Sequence, residues 1–452
     1  MRYQEGPLKK LLIIQTDSSY FLLETLNVLA QYESAFQNFE TTILVDEKSY
    51  QAVRSAFDAI KGITFSATTV LAKSYDLSIN LSLSEISWDF HGGVKALNKV
   101  GPYREKSETK VTDFWSSYYM TIKSNVPFLT FHLQDIYKHI LGIKKVLPYQ
   151  KKDNRQYKTI AVGYMNPNVF AAGGQEEFIN GLSRRFRFAK VKDISEVSLN
   201  DHDVLYIGPA SLEALKLKPQ SSIILASQFQ GFNLMPHDDG SYLISTRGEA
   251  FKAPQLLDVV EKLIQQETVT DQSYSIYQID TQNHANAYLN VVTTGEEHFP
   301  FYQVYTVIWN FLMSLTEVDL PVSETTTAQK TMIEAQNSII KKLTRLHEYA
   351  MVSLDVILKE AKSSSANSET IEGHLKNLSD MDHTFETVAG SQPMLRPILD
   401  YYRIRRGQNE GHTLLEQVQN SILTYHEEHQ ALQAMSELLE KFIQRKSVPL
   451  SR

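Results

Sequence analysis

Short apolar runs alternate with amphipathic stretches along the first 150 residues of the chain. The runs predict buried strands, and the stretches, in which apolar residues recur three and four positions apart, predict helices. The predicted strands are residues 11–14, 42–45, 64–67, 77–81 and 128–131, and the predicted helices are residues 22–32, 48–60 and 136–141. Strands that alternate with helices in this way indicate βαβ units and a mostly parallel sheet.

The same alternation restarts after the polar stretch YQKKDNRQY at residues 149–157, which is typical of a linker. The predicted strands of this second part are residues 159–162, 204–207, 222–226 and 242–244, and its predicted helices are residues 175–185, 211–217 and 253–266. The pattern therefore predicts two consecutive α/β halves. Because sheets of this class bind ligands at the carboxyl ends of their strands, we expect a site in the cleft between the halves.

The pattern changes after the second α/β half. Residues 273–292 alternate well enough to predict a hairpin. Residues 301–313, FYQVYTVIWNFLM, have apolar side chains on most faces, which predicts a helix buried between domains. The stretch PVSETTTAQ at residues 321–329 is typical of a linker that ends in helix N-cap residues.

The last part of the chain is predicted to be helical. Apolar residues recur at alternating three- and four-residue steps over residues 339–357 and again over 415–442, which places one apolar stripe on each of two helices. Shorter helices fit residues 371–388 and 394–405, after the loop SSSANSET at 363–370. The stripes fit an antiparallel hairpin or bundle within the chain, and they equally fit an intermolecular coiled coil or a partner-docking arm.

Composition and charge narrow the class of protein. The 452 residues carry a net charge of −7, which argues against broad affinity for nucleic acid or anionic membranes. Cysteine is absent, so disulfides, thiolate metal sites and a cysteine nucleophile are excluded. No apolar run reaches the roughly 18 residues of a membrane span, and no signal-peptide pattern is present. We expect a cytoplasmic protein with at most peripheral membrane contact and with domains at 1–150, 155–320 and 325–452.

Residues 8–266 resemble glycosyltransferase family 9, the heptosyltransferase-like enzymes of the GT-B fold. KKLLIIQTDSSYFLLETLNVL (9–29) resembles the opening of that family, and YDLSINLSLSEISWDFHGGVKALNKVGPY (75–103) is similar to its second signature. NVPFLTFHLQDIYKHILG (125–142) resembles the end of its first domain, and TIAVGYMNPN (159–168) resembles the start of its nucleotide-sugar domain. The resemblance implies an α/β protein with two Rossmann-like domains in a GT-B arrangement, followed here by an α-helical C-terminal extension.

The turn after the first strand departs from the family. The family has Gly-Asp near the helix start, where the carboxylate acts as base for the acceptor hydroxyl, and this chain has Tyr20 and Phe21 there. A phenyl ring cannot accept a proton, and a tyrosine with its ordinary pKa near 10 is a poor base. Asp17 is the candidate catalytic substitute, although Asp17 or Ser18 as a helix cap is the alternative. Ser18 and Ser19 are candidate contacts to a nucleotide-sugar.

The nucleotide-binding signatures of the family are also incomplete. DVLYIGPASLEALKLKPQSSIILAS (203–227) lacks the Asp, the Ser/Thr-Gly pair and the His that grip the diphosphate in the family. Ser211 remains there as a candidate phosphate donor or as a helix cap. MNPNVFAAGGQEEF (165–178) lacks the family's phosphate-contacting Lys, although a Gly-Gly turn before a helix can bind an anion and a simple loop is the alternative. The candidates that remain in it are Asn166, Gly173 and Gly174.

Histidines offer one further candidate. His132 lies three residues before Asp135, near a predicted strand-to-helix junction at the expected cleft, so it is a second candidate catalytic residue for acid–base work. A capping or solvent-facing histidine is the alternative. His426 and His429 lie three residues apart on the last helix without an evident third ligand, so we expect no metal site.

Two functions from different classes remain open. One is an active, metal-independent inverting glycosyltransferase that uses a nucleotide-diphosphate sugar such as ADP-heptose and stabilises the leaving diphosphate with basic residues and helix dipoles. The other is a catalytically degenerate GT-B-like scaffold that binds a protein partner or itself through the C-terminal helices. The helical extension is not part of the minimal fold, which favours the second function. Neither function is expected to need a cofactor or a nucleic-acid partner.

Overall fold

The computed structural model describes most of the chain and divides into two compact units. The first, which we call the α/β unit, comprises Met1–Lys99 and Leu129–Glu296, and the second, the helical unit, comprises Val100–Phe128 and Glu297–Arg452. The described residues are 8–56, 60–106, 108–122, 130–144, 157–165, 169–171, 173–199, 201, 203–228, 241–246, 248–269, 273–280, 287–293, 299–313, 325–363, 367–408 and 413–444.

The elements of the described chain follow the alternation of the sequence. The strands are β1 (Lys9–Gln15), β2 (Phe39–Val45), β3 (Ile63–Thr64), β4 (Ser74–Asn80), β5 (Lys95–Val100), β6 (Pro102–Glu105), β7 (Glu108–Val111), β8 (Thr159–Val162), β9 (Lys190–Asp193), β10 (Val204–Gly208), β11 (Ser221–Ala226), β12 (Tyr242–Ser245), β13 (Ser275–Asp280) and β14 (Tyr288–Thr293). The helices are α1 (Ser19–Gln31), α2 (Glu47–Val53), α3 (Ala67–Leu71), α4 (Glu85–Gly93), α5 (Phe114–Ile122), α6 (Leu133–Ile140), α7 (Gly174–Arg185), α8 (Leu212–Leu217), α9 (Ala253–Gln265), α10 (Phe299–Leu312), α11 (Thr327–Lys362), α12 (Ser368–Ser391), α13 (Arg396–Gly407) and α14 (Leu414–Gln444).

The first sheet of the α/β unit has the order β3-β2-β1-β4-β5. β1 pairs in parallel with β2 and with β4, and Ile13 at its centre is opposite Ile43 and Ile79. Residues 11–15 of β1 are buried without interruption, as is typical of a strand covered on both faces. The sequence therefore predicted the parallel character of this sheet correctly.

Two boundaries in this first sheet differ from the sequence prediction. The strand predicted at residues 64–67 ends at Thr64, because the Ser66 hydroxyl accepts a hydrogen bond from the Thr69 N–H (3.2 Å) and caps α3. The strand predicted at 128–131 is not one in its described part, because Thr130 and Phe131 lead directly into α6. The rest of that stretch and most of the predicted linker lie outside the described residues.

The second sheet of the α/β unit has the order β14-β13-β12-β11-β10-β8-β9. It is parallel from β9 to β12, and β13 and β14 continue it as an antiparallel hairpin, which confirms the hairpin predicted at residues 273–292. Its core is formed by strand residues such as Ile160 and Ile207 together with Phe178 of α7 and Leu256 of α9. Helices thus cover the apolar strands of this sheet.

The helical unit contains α10 to α14 and also the segment Val100–Phe128, which carries the β6–β7 hairpin and α5. The Trp309 ring of α10 lies 5.1 Å from the rings of both Tyr118 of α5 and Tyr401 of α13. The Gln408 side chain bonds to the backbone of β7, accepting from the Val111 N–H (2.6 Å) and donating to Thr109 O (3.3 Å). The segment is therefore part of the aromatic core of this unit.

The two long helices, α11 and α14, pack against each other within the chain. Ser436 bonds to Asn337, and the earlier residue Glu428 of α14 faces the later residue His347 of α11, so the helices run antiparallel. Within the described segments, no helix combines the length and the apolar character that crossing a membrane requires.

Candidate functional site

The places where a ligand would bind are defined by the order of the strands. In open α/β sheets, ligands lie beyond the carboxyl ends of the strands, at the point where the strand order reverses. In the first sheet that point lies between β1 and β4, and in the second it lies between β8 and β10. We call these two places the first crevice and the second crevice.

A buried glutamine forms the floor of the first crevice. The Gln15 amide nitrogen donates to Leu81 O (3.1 Å) and lies 3.0 Å from the Tyr137 hydroxyl and 3.3 Å from the Thr25 hydroxyl. Gln15 therefore joins β1, the end of β4, α1 and α6. The sequence analysis did not single it out, although a polar residue that ends an apolar strand was a visible signal.

The loops that follow β1 and β4 are joined directly by hydrogen bonds. The Thr16 N–H donates to the Ser82 hydroxyl (2.7 Å), and the Leu83 N–H donates to the Asp17 carboxylate (2.7 Å). The Asp17 carbonyl also accepts a hydrogen bond from the Ser49 hydroxyl (3.1 Å). The carboxylate proposed as a substitute base therefore holds the backbone of the neighbouring loop.

The start of α1 carries neither a side-chain cap nor an acidic residue in its first turn. Ser18 is the N-cap residue and is exposed, but its hydroxyl does not accept a hydrogen bond from the helix, and Ser19 is the first helical residue. The half-buried rings of Tyr20 and Phe21 lie 5.4 Å apart at 61°. An aromatic edge-to-face pair thus occupies the position at which the family that the sequence resembles has Gly-Asp.

His132 and Asp135 lie at the start of α6, the helix whose Tyr137 contacts Gln15. His132 is buried and caps α6, because its Nδ1 accepts a hydrogen bond from the Gln134 N–H (3.2 Å). The buried Asp135 carboxylate binds the Lys138 ammonium (2.8 Å) and accepts from the Ala287 N–H (3.0 Å). Both side chains therefore have structural contacts in the α/β unit.

One further buried carboxylate lies near the first crevice. Glu24 is fully buried on α1, and its Oε2 accepts a hydrogen bond from the Gln134 amide (2.5 Å). A glutamate inside an amphipathic helix gave no signal in the sequence, because such a residue is ordinarily exposed. Glu24 is therefore a buried acid near the first crevice that the sequence motifs did not reveal.

The side chain of Tyr206 reaches the ends of the two strands that flank the second crevice. A Cβ atom on Gly163, directly after β8, would lie 2.1 Å from the Tyr206 hydroxyl, and one on Gly208 would lie 2.7 Å from it. The hydroxyl donates to Pro209 O (2.6 Å), and burial raises the pKa of Tyr206 to about 12, so it stays protonated at neutral pH. The two glycines at the strand ends make room for the protein's own ring.

The remaining candidates in the second half lie at two helix starts. The Ser211 hydroxyl accepts from the Ala214 N–H (3.2 Å) and caps α8. Gly173 precedes α7 in the left-handed conformation (φ 74°), with open space where a Cβ would lie, and Gly174 is the first residue of the helix. Asn166 lies outside the described residues. The first turn of α7 carries two carboxylates, Glu176 and Glu177, which disfavour an anion there.

A cluster of buried charges joins four helices of the helical unit. Glu428 of α14 binds Arg406 of α13, and its Oε2 lies 2.9 Å from His347 Nε2 of α11. Arg406 Nε also lies 2.9 Å from an Asp382 oxygen of α12, and that oxygen accepts a hydrogen bond from the Tyr425 hydroxyl (2.8 Å). His347 Nδ1 bonds to Leu343 O (2.8 Å), which fixes its ring.

The partners of Glu428 stabilise the charged form of its carboxyl group. Burial raises the pKa of the Glu428 carboxyl, but the positive charge of Arg406 and the contact with His347 outweigh that effect and lower the pKa below its usual value. No group of three or more metal-ligating side chains occurs among the described residues. Glu428, His347 and Arg406 are buried and Asp382 is half-exposed, and the four side chains link four helices, which is the arrangement of a structural ion network.

The chain is similar in part to solved glycosyltransferase structures. The E. coli heptosyltransferase WaaC with ADP is 12% identical, with a TM-score of 0.34, over 57% of this chain and 98% of that chain. The glycosyl transferase family 9 protein from Veillonella parvula DSM 2008 is also 12% identical, with a TM-score of 0.36, over 58% of this chain and 99% of that chain. One is a heptosyltransferase and the other a family 9 glycosyl transferase, the kinds of enzyme that the sequence resembles. No protein-family model and no curated protein matches the sequence.

Proposed function

We propose that this chain is a heptosyltransferase-like protein of GT-B arrangement that no longer catalyses sugar transfer and acts as a scaffold through its helical unit. The observation that carries the proposal is the contact between Asp17 and Leu83. An inverting transfer needs a carboxylate that can take a proton from the acceptor hydroxyl. A carboxylate that accepts a short hydrogen bond from a backbone N–H is stabilised in its charged form and is a weaker base.

The second crevice supports the same proposal. A nucleotide diphosphate needs open backbone N–H groups and space at the end of the strands. Tyr206 occupies that space and binds Pro209 O, so a diphosphate would have to displace a buried ring and break its hydrogen bond. The free energy needed to displace the ring and to break its hydrogen bond opposes the binding of a diphosphate.

One observation favours the alternative, an active metal-independent glycosyltransferase that uses a donor such as ADP-heptose. Glu24 is a fully buried carboxylate on α1, close to the start of α6. Buried carboxylates are common among catalytic acids and bases. An active enzyme would therefore depend on Glu24 in place of the missing carboxylate at Phe21.

Calorimetric titration of the full chain with ADP-heptose, ADP-glucose and UDP-glucose tests the proposal. We expect no binding in the micromolar range to the wild type. Micromolar binding with transfer activity that is lost in Asp17→Ala or Glu24→Gln would refute it. Glu33→Gln is the matched control, because Glu33 is an exposed carboxylate just after α1 and is not among the candidate site residues.

A further inference from the structure

A polar pocket lies in the helical unit, where the β6–β7 hairpin meets α5, α13 and α14. Its volume is 410 Å³, which falls in the range of about 300–1,000 Å³ that is typical of small-molecule sites. Every residue that lines it belongs to the helical unit. We propose that this pocket, which we call the helical-unit pocket, binds a neutral saccharide. It shares no residue with either crevice, so this function does not depend on whether the α/β unit is catalytic.

Contacts between distant segments hold the walls of the pocket in place. The Gln408 side chain bonds to the β7 backbone at Val111 and Thr109, so the end of α13 is tied to the hairpin. The Arg405 guanidinium, three residues earlier on the chain, lies over the Phe114 ring of α5 at 4.0 Å from the ring centroid. A site whose walls are fixed in this way loses little conformational freedom when a ligand binds.

The helical-unit pocket contains both a fixed donor and fixed acceptors. The Arg405 Nε–H can only donate, and within the described part of the chain this buried nitrogen has no hydrogen-bond partner. The ionised Glu427 carboxylate of α14 can only accept. The buried Ser117 hydroxyl already donates its proton to Asp113 O (3.1 Å), so it too can only accept from a ligand. A complementary ligand therefore offers acceptors to Arg405 and donors to Ser117 and Glu427.

Hydroxyl groups meet both requirements, because each donates one hydrogen bond and accepts others. Arg405 Nη2 lies 3.6 Å from Glu427 Oε2, so one ligand hydroxyl can bridge the two, whereas a trans peptide group has its N–H and C=O on opposite sides. An oxyanion only accepts, so it would face the oxygens of Ser117 and Glu427 unfavourably. The pocket also has little positive charge to offset that repulsion, because Lys110 lies 3.2 Å from Glu105 and Arg405 lies beside Glu427. The ligand is therefore neutral and rich in hydroxyl groups.

The lining of the pocket also argues against an apolar ligand. Of the 11 residues that line it, only Tyr103, Val111 and Leu423 have mainly apolar side chains. A lipid tail would therefore leave buried polar groups unpaired, at a cost in free energy. Leu423 is 61% exposed and offers an apolar surface beside the polar groups. A saccharide ring has hydroxyl groups around its edge and C–H groups on its faces, so it matches both parts of the lining.

A glycan array followed by titration in solution tests the saccharide site on the full chain. The fluorescently labelled chain is applied to an array that carries neutral, sialylated and sulfated glycans, and the neutral glycan that binds most strongly is then titrated by saturation-transfer NMR. Inorganic phosphate and glutamate are titrated in parallel as simple oxyanions. We expect a subset of the neutral glycans to bind, and neither phosphate nor glutamate to compete with them.

Two variants locate the binding site. Arg405→Met and Glu427→Met each remove one hydrogen-bonding group and should weaken binding of the neutral glycan about tenfold, the equivalent of one hydrogen bond to a charged group. The matched controls are Arg403→Met and Glu437→Met, because both residues are exposed on the same two helices and do not line the pocket. We expect the controls to bind as the wild type does. Circular dichroism melting of each variant separates a lost contact from a lost fold, and the Glu427 side chain, which is 44% exposed, is the one less needed for folding.

Several outcomes would overturn the saccharide site. It is refuted if no neutral glycan binds, or if only acidic glycans, phosphate or glutamate bind. It is also refuted if the controls weaken binding as much as Arg405→Met and Glu427→Met do. Glycan binding that Asp17→Ala or Glu24→Gln abolishes and that Arg405→Met leaves unchanged would place the saccharide in the α/β unit and refute the helical-unit pocket as its site.

Discussion

The Tyr206 hydroxyl lies 2.1 Å from the point that a Cβ atom would occupy on Gly163. A residue with a Cβ atom would therefore overlap this ring at position 163, and the two groups lie in contact at the ends of β8 and β10. A side chain of the protein itself thus reaches the strand ends beside which the ligand of an open α/β sheet would lie. A substitution at Gly163 tests this contact directly.

Gly163→Ala should destabilise the α/β unit. The new methyl group overlaps the buried ring, so Tyr206 has to move and its hydrogen bond to Pro209 O is strained, at an expected cost of about 1–3 kcal/mol. Urea unfolding followed by circular dichroism measures the change. Gly93→Ala is the matched control, because its nearest neighbour, Leu71 Cδ2, lies at an ordinary 3.7 Å. An unchanged midpoint in Gly163→Ala would contradict this overlap.

Asp17→Ala should lower stability, and under the proposed function it should bind ADP-heptose no more tightly and no more weakly than the wild type. Removal of the carboxylate leaves the Leu83 N–H without its acceptor, which costs about 1–3 kcal/mol if that group stays out of water. Asp17→Asn keeps an acceptor oxygen and should lose less. Ser18→Ala, the neighbouring exposed position, should stay within about 0.5 kcal/mol of the wild type. The free energy of unfolding measured in urea decides between these outcomes.

The contrast between local and long-range features explains how much the sequence could predict. The strand predicted at 159–162 is β8, and the N-cap residues predicted at the end of PVSETTTAQ include Thr326, which forms a capping box with Gln329 at the start of α11. Signals of this kind depend on neighbours along the chain. The parallel sheets, the hairpin and the C-terminal helices followed from such patterns.

The site could not be predicted in the same way, because its contacts join distant residues. Gln15 meets Tyr137 across 122 positions, and although a polar residue at the end of an apolar strand is a local signal at Gln15, no local pattern predicts its contact with Tyr137. The segment Val100–Phe128 likewise contributes to the helical unit, although it lies within the sequence of the first α/β half. The order of the strands along the sequence predicted which loops lie at the candidate site. It did not predict the hydrogen bonds that join the polar groups of those loops.

Trp309→Ala should destabilise the helical unit more than any surface change on the same helix. Trp309 is fully buried among Tyr118, Tyr305 and Tyr401, so truncation leaves a large cavity and costs about 3–5 kcal/mol. Phe311→Ala is the control, because Phe311 on α10 is 68% exposed. Thermal unfolding and binding of a hydrophobic dye measure the effect. Equal melting temperatures for the two variants would contradict the assignment of α5 and α10 to one core.

Glu428 should make the stability of the helical unit sensitive to acid. Its pKa is lowered in the folded protein, so its contribution is fully present above the pKa of an unfolded Glu, about 4.3. The contribution is lost as the pH falls below that value toward the lower folded pKa, because the unfolded chain then takes up the proton first. We expect the urea midpoint of the wild type to fall steeply in this acid range.

Glu428→Gln separates this effect from general acid denaturation. The substitution removes the buried carboxylate that faces Arg406 and His347 and leaves Arg406 only its ion pair with the half-exposed Asp382, which should cost about 3–5 kcal/mol at neutral pH and remove the steep acid dependence. Glu437→Gln, at an exposed position on the same helix, should keep the wild-type stability and pH profile. If the two variants share one pH profile, the acid sensitivity arises from carboxylates elsewhere. If only Glu428→Gln flattens it, the cluster that joins α11, α12, α13 and α14 is its source.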